Sequence, residues 1–173
     1  MEVAKRLDPF QQDIERLDTI PVIASEPRNK FLAEVGTDIG RAFPLAAHLC
    51  SWVGLVPGQN ESAGKRKSSK TRKGNKYLRS ALIEVDHSVC RSDNYLGAQY
   101  RRIAAPKGRH RAAVAVAHSI MTIVYHLLTR GEDYKDLGGN YFKKRQQEAI
   151  VKQAVRKLVN LGFQVALTAS TAS

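Results

Sequence analysis

"AAVAVAHSIMTIVYHLL" occupies Ala112–Leu128. It is the most apolar stretch of the chain, yet shorter than the roughly 20 residues a membrane span needs. His118, Ser119, Thr122 and His126 interrupt it. Its small residues allow neighbouring helices to approach closely. The pattern predicts a helix from about Arg109 to Thr129, buried on most sides at the centre of a helical core. His118 and His126 read there as core histidines with satisfied hydrogen bonds.

Other helices are expected around it. Val3, Leu7, Phe10, Ile14 and Leu17 alternate at spacings of four and three, the seam of a coiled coil, with Asp8-Pro9 interrupting it. Residues 1–19 therefore read as a coiled-coil stub or connector, too short to be stable alone. Ser25 can cap a helix that carries Pro27 in its first turn and stops at Gly36. A short helix from near Pro44 should bury Leu45, Leu49, Trp52 and Val53 and end at Gly54. Asn75 can cap a helix with Tyr77, Leu78, Leu82, Val85 and Val89 on its apolar face, and Asp93 can cap another through "YLGAQYRRI". "RGEDYKDLGGNYF" reads as a Gly-rich loop. "KKRQQEAIVKQAVRKLVNL" reads as an amphipathic helix ending at Gly162, and "FQVALT" as a short strand. The expected fold is mainly α: one compact helical domain over 20–167, a basic loop at 58–76 with room for a short β-hairpin, and a frayed tail at 168–173.

The charge narrows the function. Lys and Arg total 28 against 16 acids, a formal +12, with a sequence pI of about 10.0. A protein this basic commonly meets a polyanion, nucleic acid first and an anionic membrane surface second. Two cysteines, Cys50 and Cys90, are too few for a disulfide framework, and both lie in apolar-periodic stretches that suit buried thiols. No metal-ligand spacing appears, and "MEVAKRLDPF" lacks the apolar core of a signal peptide.

The positive charge is concentrated in "GQNESAGKRKSSKTRKGNK". From Glu61 to Arg79 there are eight basic residues and one acid. Packed so closely, they repel one another unless anions lie among them, and phosphates are the natural filling. Lys65, Arg66, Lys67, Lys70, Arg72, Lys73, Asn75, Lys76 and Arg79 are the candidate nucleic-acid contacts. Ser68, Ser69 and Thr71 add hydroxyls, while Gly64 and Gly74 permit turning and close approach. With Tyr77 the one nearby aromatic in sequence, stacking of bases on rings is not indicated. A solvated loop is the plain alternative. Ser62 adjoins a glycine and precedes "KRK", so cations stand ready for an attack on a phosphodiester. No histidine lies beside it in sequence, and on residues alone it is one hydroxyl among several. His110, in "KGRHR", reads as added positive charge.

The order of segments carries more. "SWVGLVPG", then "ESAGKRKS" and "KGNKYLR", then "AAVAVAHSI" and "YKDLGGNYF", resembles the C-terminal transposase domain of the insertion sequence 110 family, from about Ile20 to Leu167. The resemblance implies a site-specific DNA recombinase that moves insertion elements, guided in some members by a structured RNA. It implies that Ser62 is the nucleophile that becomes covalently joined to DNA, with phosphates held by Lys65, Arg66 and their neighbours. It also implies an N-terminal RuvC-like domain holding magnesium through four acids. That domain is expected to be missing here, so no cofactor is expected in this chain; Glu34, Asp38, Glu84 and Asp86 are too scattered to form the acid set. Other departures are Val22 and Ala24 in "IPVIA", where the family has glycines, and Asp86, where it tends to have a small apolar residue. DNA is the expected partner, with a guide RNA, self-association or an intact transposase as further ones, in the cytoplasm at the nucleoid. A non-enzymatic nucleic-acid-binding remnant is the alternative.

Overall fold

The computed structural model describes residues 11–168, apart from 22, 24, 37, 59, 69 and 85. The described chain is mainly α. Helix α1 spans 11–18. It is followed by α2 (Ser25–Val35), α3 (Ile39–Ala42) and α4 (Ala46–Val53), strands β1 (Asn60–Ser62) and β2 (Lys65–Ser68), then α5 (Lys76–Glu84), α6 (Asp86–Arg91), α7 (Tyr95–Lys107), α8 (Arg109–Arg130) and α9 (Tyr141–Asn160).

Helix α8 is the centre, as its sequence predicts. It buries Ala112, Ala113, Val116, Ala117, Ile120, Met121, Val124, Tyr125 and Leu127, and packs against α3, α4, α5 and most extensively α7. It is the one described helix long and apolar enough to cross a membrane, and here that apolar surface is the core of the domain. Each large aliphatic side chain hidden in this way contributes about 1.5–3 kcal/mol. The thiol of Cys50 lies against α8, 3.7 Å from Thr122 Oγ1, and burial pushes it above its ordinary pKa. Both cysteines are free, Cys50 buried and Cys90 half-buried. Leu17 and Ile20 belong to the same core, with Ile14 packed against it. Of the N-terminal seam, Val3, Leu7 and Phe10 lie outside the described residues.

Several helix ends fall where expected. Helix α2 stops at Gly36, whose N–H bonds Leu32 O. Helix α4 ends at Gly54 in the left-handed region, and Asn75 caps α5 by accepting from Leu78 N at 3.0 Å.

Other expectations are corrected. Leu45 is 59% and Trp52 39% exposed. The buried face of α4 is Leu49, Cys50 and Val53, which leaves Trp52 at its margin, while Leu45 is the extended N-cap residue. Tyr77 is 76% exposed, because the inward stripe of α5 is Leu78, Ala81 and Leu82 at helical spacing. Val89 belongs to a separate helix, α6, and Val85 lies outside the described residues. The cap of α7 is Asn94, which accepts from Gly97 N at 2.8 Å; Asp93 instead faces Arg101 at 3.6 Å. Tyr141 and Phe142 open α9 rather than closing the loop before it. Residues 163–168 form no strand. The one sheet among the described residues is the two-stranded ribbon, and a lone extended segment has no ladder to join.

The motif "YKDLGGNYF" has a structural reading. Asp136 accepts from Tyr95 N, the Tyr134 hydroxyl and Gly138 N, each at 3.0 Å. Burial and the Asp136 carboxylate push the Tyr134 phenol well above its ordinary pKa. Tyr95 stacks on Phe142 and meets Tyr141 edge-on, and the Arg102 guanidinium covers the Phe142 ring at 4.7 Å. This cluster pins the start of α9, and the rest of that helix buries no residue.

Candidate nucleic-acid interface

The basic stretch is a ribbon rooted in the helical core. Strands β1 and β2 pair antiparallel, with Ser62 opposite Lys65, Glu61 opposite Arg66, and Asn60 opposite Ser68 across an irregularity. Pairing resumes at the root, where Pro57 bridges Thr71, Gly58 N bonds Lys70 O and Arg72 N bonds Val56 O. The two-residue connection is Ala63-Gly64, with φ of 52° and 73°. Positive φ at both positions gives the type I′ twist that matches paired strands. Glycine takes that conformation freely, whereas alanine there is strained.

The root is fixed by close backbone approach. A Cβ on Gly74 would lie 2.3 Å from the carbonyl carbon of Val53. Arg79 reaches from α5 to bond Thr71 Oγ1 at 2.8 Å and Arg72 O at 3.4 Å. Ser62 lies five residues beyond Pro57 in sequence, so the tip stands at most roughly 17 Å from the root.

Beside the root lies an open groove of about 1070 Å³. The ribbon side supplies Lys70, Arg72 and Lys73, α5 supplies Arg79, and the α7–α8 junction supplies Lys107 and Arg111. No Asp or Glu lines it among the described residues. Like charges gathered around one groove repel one another, and an anion among them relieves that repulsion. Helix α8 adds to this. Arg109, His110 and Arg111 occupy its first turn with no acid, the end where the helix dipole disfavours cations and favours phosphate. Farther in, desolvation lowers the pKa of His118 from its ordinary 6.5. Gln99 donates to Ser119 Oγ at 2.8 Å.

The candidate residues are thus divided. Lys70, Arg72, Lys73 and Arg79 share the groove. Ser62 and Lys65 are exposed together at the ribbon tip, and Arg66 and Lys67 lie on β2. Asn75 is engaged in its cap and in a bond to the Glu34 carboxylate at 2.6 Å. Lys76 lines a different hollow, with Lys30 and Glu34 between α2 and α5. Ser68 accepts from Lys70 N, Thr71 is held by Arg79, and Ser69 lies outside the described residues, as do Val22 and Ala24 of the "IPVIA" turn. Sequence reasoning missed Lys107, Arg111 and Gln99 as groove residues. The signal for the first two was present in "PKGRHR", a second cluster of cations around Gly108. Among the described residues no three His, Cys, Asp or Glu side chains converge to hold a metal ion.

The groove brings the cations of the basic stretch together with those of the α7–α8 junction. The family model described as "Transposase IS116/IS110/IS902 family" matches residues 14–101, and the chain belongs to that family. The chain is 29% identical over 139 residues to a transposase for insertion sequence element IS1111A from Coxiella burnetii, covering 78% of this chain and 38% of that protein. It is 29% identical over 131 residues to a putative transposase, y4pF/y4sB, from Sinorhizobium fredii, covering 72% of this chain and 33% of that protein. The chain therefore spans about a third of the length of these relatives. No solved structure matches it.

Proposed function

We propose that this chain is the part of a DNA transposase that grips the nucleic-acid backbone and presents a serine to it. The observation that carries the reading is the groove, with six Lys and Arg side chains and no acid among its described lining. Family membership supplies the polymer: a transposase acts on DNA, so the phosphates are those of DNA.

Ser62 is the proposed nucleophile. It ends β1 at the ribbon tip, exposed and opposite Lys65. Its Oγ would give up its proton and bond to phosphorus as the bond from phosphorus to a deoxyribose oxygen breaks, and that oxygen would take up a proton. The serine ester retains the bond energy, so reversal by a strand hydroxyl needs no nucleotide. Lys65 lies on the same face of the ribbon and can stabilise charge growing on the phosphate. Glu61, next to Ser62 on β1, faces the other side. Magnesium is assigned by the family resemblance to another domain.

A second reading is favoured by one observation: the ribbon carries no histidine to take the serine proton. On that reading the chain binds nucleic acid without reacting. Incubation with radiolabelled DNA, alone and together with an intact family transposase, separates the two. A covalent adduct on this chain, lost in Ser62→Ala, is expected. Equal labelling of both proteins removes Ser62 from the mechanism, and tight binding with no adduct in either setting favours the second reading.

A further inference from the structure

The structure brings an aromatic ring to the basic stretch that sequence distance conceals. Trp52, the single tryptophan of the chain, lines an open hollow of about 660 Å³ with His48, Ser51, Arg72, Lys73 and Asn75. Its indole is partly exposed on the surface of α4 although the neighbouring Val53 is fully buried. Arg72 and Lys73 line both this hollow and the groove, so the two sites share one cationic rim.

The ring is held in place from behind. Phe43 meets it with centroids 5.5 Å apart at 53°, and the Phe43 carbonyl is fixed by the Tyr125 hydroxyl at 3.0 Å. The distance to the cations is held too. Asn75 N bonds Trp52 O at 3.2 Å, and at Gly74 the chain is pressed against Val53 too closely to admit a Cβ. A flat apolar ring beside two exposed cations carried on a held backbone matches one ligand unit, a nucleobase with its adjoining phosphate. A two-fold contact between copies of this chain centred here would set Arg72 and Lys73 against their own equivalents, like charge on like.

We propose that Trp52 is a stacking platform for an unpaired nucleobase whose phosphate is held by Arg72 and Lys73. This rests on the nucleic-acid reading above and sharpens it: the strand at this end of the groove is single, because a paired base has both faces covered by its neighbours.

As the protein has one tryptophan, its fluorescence reports the site directly. A short oligothymidylate is expected to quench it strongly. A duplex of the same length, or an abasic strand with the same backbone, is expected to bind, as followed by anisotropy of a labelled strand, with little quenching. Trp52→Ala should weaken the oligothymidylate about tenfold and leave the abasic strand unchanged, whereas Trp52→Tyr should keep most of the affinity and shows that the fold tolerates the site. Unchanged oligothymidylate affinity in Trp52→Ala, with binding intact, overturns the platform and spares the nucleic-acid reading. Quenching that follows protein concentration without any strand assigns the ring to a contact between copies and also overturns it. Failure of all three strands to bind overturns the nucleic-acid reading itself.

Discussion

Ser62 and Lys65 face each other across the last rung of the ribbon, joined by a turn in which Ala63 takes a φ of 52°. The hairpin thus holds a strained alanine beside the proposed nucleophile. Asparagine suits that position of a type I′ turn, so Ala63→Asn should relieve about 1 kcal/mol of strain. The expected outcome is roughly fivefold slower hydrogen exchange at the amides of the ribbon tip. Unchanged exchange would mean that the turn is not held as described.

Gly74 and Val53 set the distance between the ribbon and the core. Gly74→Ala forces a methyl group into backbone that lies 2.3 Å away. The expected cost is about 1–3 kcal/mol in denaturant unfolding, together with weakened binding in the groove. A melt indistinguishable from wild type would contradict this close approach.

His118 makes stability depend on pH. Desolvation lowers its folded pKa below the ordinary 6.5, so between the two values the unfolded chain binds more protons than the folded one. Its contribution is therefore complete above pH 6.5 and is lost as the pH falls below that value. Urea titrations at pH 7.5 and 5.5 should show a loss of stability in the wild type that shrinks in His118→Gln. An identical loss in both proteins would exclude His118 as its source.

Asp136 fastens the loop that carries α9. Asp136→Ala removes the acceptor of three hydrogen bonds, an exposed set worth about 1–2 kcal/mol in total. The predicted result is faster proteolysis between 131 and 142, with the hydrogen exchange of α8 unchanged. Uniform loss of protection across α8 as well would show that the loop is part of the core.

The chain discloses its fold unevenly for physical reasons. Helix α8 was legible because a long apolar run has one outcome in a compact helical domain, and Gly36, Gly54 and Asn75 mark helix ends through local chemistry. Trp52 and Tyr77 were misjudged because hydrophobicity fixes which residues favour burial, while neighbouring helices decide which stripe receives it. The cap of α7 is Asn94 rather than Asp93 because the helix begins at Tyr95, which puts Asn94 in the extended cap position over Gly97 N and Asp93 one residue too early. At the site, the cations of the ribbon were visible as a run. The groove was not, since Lys107 and Arg111 come to line it with Arg72 only through the tertiary fold. For the same reason Trp52 could not be linked to Arg72 and Lys73 by spacing alone.

The central claim is that the groove binds phosphates, and its most direct measurement is the salt dependence of oligonucleotide affinity. The logarithm of the binding constant should fall steeply and linearly with the logarithm of salt concentration. The slope should lessen by roughly one for each groove cation removed, in Lys107→Ala, Arg111→Ala and the double variant. A shallow slope in the wild type, or one that stays the same in all three variants, would contradict the account.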